Sequence, residues 1–299
     1  MINFHKYGFL DVKKLKKYVE NSHYWISRYN PYWLFVNAHK YRPEIAYDND
    51  FCYIRYNMPN VGICYYPPLG DSNIIKGLRN ISDDAGENGI DLNIAPVTEG
   101  VSKILTELNF EMKLNDSFVS YIYSSYDLAY LKNAKKPLKL AKTFENNHKE
   151  NELCYRKIKK EDFPNILEFV ENWRQAQVTL NDLKSFNNVE FIEMLNMIKQ
   201  LMDHLYEFDF HSVILYDENK IYGISIASII DNMAFIHLHL ALENEVGAYE
   251  LLTMCMAKEL TTNVRYINFE EDLGKNKLKE KFNEFNPLAK EPFYATFRL

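Results

Sequence analysis

The chain has 299 residues, of which 47% are hydrophobic and 25% charged, enough apolar material for two ordinary domains and too much for a disordered chain. Its formal net charge of -6 excludes broad sequence-blind nucleic-acid binding, which needs a dominant basic field, but leaves room for a local basic patch. Four scattered cysteines (Cys52, Cys64, Cys154, Cys255) give neither a C-x-x-C pair nor a disulfide framework, so reduced thiols and a cytoplasmic setting are expected.

The opening "MINFHKYGFLDVKK" holds no apolar run of signal-peptide length. Two strand-like runs, "FCYIRY" (51–56) and "VGICYY" (61–66), flank Asn57-Met58-Pro59-Asn60 and predict a hairpin. "TEGVSKILTELN" predicts a helix with Thr98 as N-cap and Val101, Ile104, Leu105 and Leu108 on one stripe. "FVSYIYS" reads as a strand, and the lysine-rich stretch after it as helix on both sides of Pro137. "ENNHKENE" (145–152) is polar without apolar periodicity, which places the domain junction there, giving domains 1–148 and 149–299.

The second half restarts with strand-like "LCYRKI", then helix from about Glu161 and again over roughly 189–206. Three β-prone runs follow, "HSVILYD", "KIYGISIASII" and "AFIHLHLAL". The most apolar stretch, "YGISIASII", is too short to span a membrane. "GAYELLTMCMAKEL" carries Ala248, Leu251, Leu252, Cys255 and Met256 on one helical stripe. The strand "VRYINF" comes next, then a helix with Leu278, Phe282 and Phe285. Strand, helix, strand implies a crossover and a parallel pair, with ligands beyond the carboxyl ends of the strands, where "NFEED" emerges. This order is that of the GNAT-type acyltransferase fold, so the expected class is α+β: two tandem GNAT-like domains, mixed sheets flanked by helices.

Several motifs then resemble one family in order: "YYPPLG" (65–70), "SYIYSSYDLAYLKNAKK" (120–136), the helix with Trp173, "IHLHLA" (236–241), "GAY" (247–249) and "YINFEEDLG" (266–274) with Pro287. The chain resembles the stand-alone bacterial proteins related to the C-terminal domain of phosphatidylglycerol lysyltransferase. The resemblance implies the tandem GNAT-like fold. In the lipid-modifying relatives it implies transfer of an aminoacyl group from aminoacyl-tRNA. Charged family positions are replaced here. A Lys-Arg-Asn triplet corresponds to Leu140-Ala141-Lys142, His-x-Glu-Lys-Ala to His237-Leu238-His239-Leu240-Ala241, the arginine of "INREEDLG" to Phe269, and a downstream lysine falls near Phe282.

An acyl transferase needs a base for the nucleophile and donors for the oxyanion. Clustered carboxylates at a strand end raise one another's pKa, which makes Asp272 or Glu271 the expected base, with Asn268 and His237 as polar stabilisers. The plainer alternative has Asp272 capping the next helix, Gly274 relieving a turn and Glu270 facing water. His237 and His239 alternate along a strand and are expected on one face; two ligands fall short of a zinc site, so no metal is expected. His239 joins Tyr123 and Tyr249, from the matching motifs, as expected substrate contacts. Lys132, Lys135, Lys136, Lys139 and Lys142 recur every three or four residues; this face, Lys139 and Lys142 above all, is the expected tRNA-docking surface or else a solvated one. At the place of the GNAT pyrophosphate loop only Gly247 fits, and Glu243 and Glu245 would repel phosphate, so aminoacyl-tRNA is expected as donor ahead of acyl-CoA. The acceptor is a phospholipid or a small amine or hydroxyl. The alternatives are a non-catalytic binding protein that kept the fold, with its cleft closed by Phe269, Phe282 and Leu240, and an acyl-CoA-dependent N-acyltransferase.

Overall fold

The structure, a computed structural model, describes residues 2–22, 25–70, 73–181, 188–218 and 220–296. The chain divides into two compact units, and the first is discontinuous: Met1–Ser120, Glu271–Lys275 and Lys290–Leu299. The second comprises Tyr121–Glu270 and Asn276–Ala289. The junction read at 148/149 therefore lies within the second unit.

The first unit runs β1 (His5–Lys6), α1 (Phe9–Ser22), α2 (Pro31–Val36), α3 (Ala38–Tyr41), β2 (Glu44–Tyr47), β3 (Cys52–Met58), β4 (Gly62–Tyr65), α4 (Ile74–Glu87), β5 (Asn93–Val97) and α5 (Glu99–Glu107). It then enters β6 (Lys113–Ser124). The expected hairpin is β3–β4, antiparallel from Arg55↔Tyr65 to Met58↔Gly62, with Asn60 left-handed in the turn. β4 and β5 are parallel, joined through α4, whose Leu78, Ile81 and Ala85 pack with Phe51, Tyr65 and Ile94 in the core. Thr98 caps α5 by accepting from the Val101 N–H, as expected.

The second unit continues with α6 (Ser125–Tyr130), α7 (Lys135–Asn147), β7 (Cys154–Arg156), α8 (Phe163–Asn181), α9 (Asn188–Asp203), β8 (His211–Tyr216), β9 (Ile221–Ile230) and β10 (Met233–Ala241). The crossover helix α10 (Ala248–Leu260), β11 (Tyr266–Glu271), α11 (Asn276–Glu284) and β12 (Ala289–Thr296) follow. Pro137 sits in the first turn of α7, where its missing N–H has no intrahelical partner to lose. The strand order is β11-β10-β9-β8-β7, antiparallel except for the β10–β11 pair that α10 connects, as the strand–helix–strand pattern implies. α10 packs on β8, β9 and β10, and α8 on β9.

Both units thus carry a mixed sheet flanked by helices, in the same order of elements. Neither is a single continuous segment of the chain. The residues of β12 from Lys290 onward belong to the first unit, where Tyr294 pairs with Val97 and Thr296 with Ile94 of β5.

Candidate functional site

The parallel ladder between β10 and β11 runs from Met233↔Tyr266 to Phe235↔Asn268, although β10 continues to Ala241 and β11 to Glu271. Beyond Phe235 and Asn268, side chains join the two strands. His237 meets Glu270, and His239 meets Phe269. A parallel pair opened at its carboxyl ends is the place this architecture offers a ligand.

Against β10, the β9 residues Ile226 and Ala227 are consecutive, but β10 shifts register between Ile236, opposite Ala227, and Leu238, opposite Ile226. His237 is the extra residue of a β-bulge, and a bulge re-aims side chains. His237 bonds Ser228 and His239 bonds Ser225; residues three apart on an unbroken strand face opposite ways. The two histidines therefore lie on opposite faces, a correction to the expectation that they share one. The simple alternation it rested on is broken by the bulge. Among the described residues no group of three or more His, Cys, Asp or Glu side chains is placed to hold a metal ion.

On one face, His237 is a buried link between Ser228 Oγ (2.7 Å from Nε2) and Glu270 Oε1 (2.8 Å from Nδ1). With Glu270 ionised and the imidazole in its neutral form, Nδ1–H donates to Glu270 and Nε2 accepts the Ser228 hydroxyl. The order differs from a serine nucleophile site. Here the hydroxyl is at the closed end, and Glu270, with a side chain 16% exposed against 1% for His237, is the outer member. Glu270 holds a left-handed backbone (φ 60), and its N–H donates to Asn268 Oδ1 at 2.7 Å. Asn268, fully buried, positions Glu270 through that bond.

On the other face, His239 lies between Ser225 Oγ (2.9 Å) and Thr253 Oγ1 (3.1 Å). Thr253 donates its hydroxyl to the Tyr249 carbonyl, so its oxygen accepts from Nε2–H and Nδ1 accepts from Ser225. Desolvation, and then the nearby Lys281, hold the His239 pKa down at about 3. Lys281 Nζ sits 3.7 Å from the Tyr249 ring centroid and 3.7 Å from Glu250 Oε1, and burial pushes its ammonium below the ordinary lysine range while Glu250 opposes. Phe269 fills the opening. It contacts Tyr123 and His239, each at 5.4 Å between centroids, and Phe282 at 5.9 Å, while the Tyr123 hydroxyl donates to the Phe282 carbonyl.

The neutral His239 has a measurable consequence. Below about pH 6.5 the unfolded chain binds a proton that the folded chain refuses, so stability falls as pH drops from 6.5 toward 3, by about 1.4 kcal/mol per pH unit. Thermal unfolding at pH 5 and pH 7.5 is expected to show a loss of about 2 kcal/mol from this group, and His239→Gln should flatten that slope.

The remaining acids of "YINFEEDLG" belong to the first unit. Arg28 donates to Glu271 through Nε (2.7 Å) and Nη2 (2.9 Å), a two-point pair with both side chains 6% exposed. Burial alone would lower the guanidinium pKa; Glu271 overrides it and holds Arg28 charged. Phe118 and Phe293 pack on the guanidinium at 5.0 and 4.9 Å. Asp272 is fully buried, accepts the Gly274 N–H and has its own N–H bonded to the Val119 carbonyl. Glu271 and Asp272, the expected bases, are thus committed to an ion pair and a turn, and the carboxylate with a histidine behind it is Glu270.

At the start of α10, Gly247 has φ 98, and a Cβ there would lie 2.3 Å from the Leu140 carbonyl oxygen and 2.8 Å from Phe144 Cβ. α7 covers this helix end, and Glu245 pairs with Lys220. Lys132, Lys135, Lys139 and Lys142 are exposed, and Lys136 pairs with Glu284. Sequence reasoning missed Arg28, a lone cation inside the aromatic run "SRYNPYW", and Lys281, one residue from where the family lysine was sought. No described helix is long and apolar enough to cross a membrane.

The two units define a tandem GNAT-like fold of the acyltransferase type. The sequence profile of the family described as "Phosphatidylglycerol lysyltransferase, C-terminal" matches residues 22–297, and the chain belongs to that family. Among solved structures it is similar to a conserved protein of unknown function from Bacteroides thetaiotaomicron, at 19% identity and TM-score 0.89 with 100% of both chains covered. It is similar also to L-PGS from Bacillus licheniformis, at 10% identity and TM-score 0.58, covering 96% of this chain and 91% of that one. FemX is a third, at 6% identity and TM-score 0.64, covering 100% and 98%. No curated protein matches the sequence.

Proposed function

We propose that the protein is an acyltransferase that moves an aminoacyl group from aminoacyl-tRNA to a phospholipid or a small amine or hydroxyl acceptor. Membership of the phosphatidylglycerol lysyltransferase C-terminal family over residues 22–297 carries the reading. Glu270, aligned by His237 and Ser228, takes the proton of the acceptor as it adds to the aminoacyl ester carbonyl; the tRNA 3′ oxygen leaves and is reprotonated. Lys281, partly buried against the Tyr249 ring and beside Glu250, holds an anionic group of acceptor or donor. The closed approach to the α10 N-terminus supports tRNA over acyl-CoA as donor, since a pyrophosphate there would meet the Leu140 carbonyl, Phe144 and Glu245.

The chain of Tyr123, Phe269 and Phe282 across the opened strands favours a second reading, a binding protein without transfer. One assay separates them. Purified protein is incubated with tRNAs charged with labelled amino acids and a membrane extract. Label appearing in the lipid or small-molecule fraction is expected; no transfer from any charged tRNA would sink the transferase reading in favour of the second.

A further inference from the structure

Tyr126 and Tyr130 lie one turn apart on α6, expose 54% and 56% of their surface, and place their ring centroids 4.9 Å apart. Their base is rigid. Leu128, Ala129, Leu131 and Ala134 are buried, Ser124 caps α6 through the Asp127 N–H, and Leu131 ends it in a left-handed conformation. Lys132 Nζ stands 5.7 Å from the Tyr126 ring, and Lys135, Lys139 and Lys142 continue along one exposed face of α7. The acids around this strip are Asp127 on α6, Glu145 on α7, and Glu250, Glu280 and Glu284 near Lys136, of which Glu284 pairs with it. In a chain of net charge -6, four exposed lysines, Lys132, Lys135, Lys139 and Lys142, run beside a pair of exposed rings.

We propose that the α6–α7 surface binds an unpaired stretch of RNA, with bases stacked on Tyr126 and Tyr130 and phosphates along Lys132, Lys135, Lys139 and Lys142. Every base has a face that stacks on an aromatic ring, and lysines beside the rings neutralise the backbone. A lipid surface fits less well. Among the described residues, the large apolar side chains that α6 and α7 expose are these two tyrosines, with no exposed aliphatic anchor to enter an acyl layer. The inference deepens the aminoacyl-tRNA reading and rests on it, because a charged tRNA presents its aminoacyl group on an unpaired 3′ strand.

The test is fluorescence anisotropy of the full chain with a short labelled single-stranded RNA, the same sequence as a duplex, and vesicles containing anionic phospholipid. The wild type is expected to prefer the single strand. Y126A/Y130A should bind it more weakly by roughly thirty-fold or more, as loss of base stacking at two rings does. Y126F/Y130F, which keeps the rings, should bind like the wild type. K139Q/K142Q should lower the salt dependence by about one to two released counterions. Undiminished RNA binding by Y126A/Y130A, or no single-strand binding by the wild type, overturns the proposal. Loss of vesicle binding in Y126A/Y130A with RNA binding unchanged overturns it in favour of a membrane surface. Unchanged transfer by Y126A/Y130A overturns the surface and leaves the transferase reading standing. RNA binding that the variant loses, beside a wild type that transfers nothing, overturns the transferase reading alone.

Discussion

Replacing Glu271 by alanine is expected to destabilise the protein by about 3–5 kcal/mol, the range found when one member of a buried ion pair is removed. Arg28 would then keep its charge between Phe118 and Phe293 with neither water nor a carboxylate to satisfy it. Removing both charges is a different experiment. Arg28→Met combined with Glu271→Leu takes away the desolvation cost together with the attraction, and most of the loss should be recovered. Urea midpoints of the three proteins measure the comparison. A cost near 1 kcal/mol for Glu271→Ala, the value of a solvated surface pair, would show that the pair is not buried in solution. The double variant also separates structure from chemistry. If Glu271 only balances Arg28, the refolded double variant should still transfer; if Glu271 is the base, it should be stable and inactive.

That pair also shows where sequence reading stops. Thr98 as N-cap, the β3–β4 hairpin and the parallel β10–β11 crossover were legible because each is set by residues within a few positions of one another. Glu271 looked unbalanced because Phe269 stands where the relatives carry an arginine. Its counter-charge lies 243 positions away, in a segment whose strongest signal was aromatic. The bulge at His237 inserts a single residue into a strand of otherwise regular composition, so the alternation that paired His237 with His239 had no visible break. The pairing of β12 with β5 is a long-range choice of partner that no local pattern encodes. Lys281 and Phe282 were distinguishable only once the helix turned one toward Tyr249 and the other toward Phe269.

Glu270→Gln is expected to lower the transfer rate by about 10²–10⁴, the usual contribution of a general base, while changing stability little. A glutamine keeps the size and can still accept from His237 Nδ1, so it isolates the loss of basicity. His237→Ala should cost less, since Glu270 would remain but lose its alignment, and Ser228→Ala less again. The backbone at Glu270 sharpens the point. A non-glycine residue at φ 60 carries a conformational cost of about 1 kcal/mol or more that glycine avoids. Glu270→Gly relieves that cost but leaves the buried His237 Nδ1–H without its acceptor, a loss of about 1–3 kcal/mol, so it should be destabilised by no more than about 2 kcal/mol and yet transfer as poorly as Glu270→Gln. A small stability change beside a large activity loss marks a residue whose strain is retained for its side chain. Wild-type rates for Glu270→Gln would remove Glu270 from the chemistry. A Glu270→Gly protein weakened by several kcal/mol would show that the side-chain bond to His237 serves the fold.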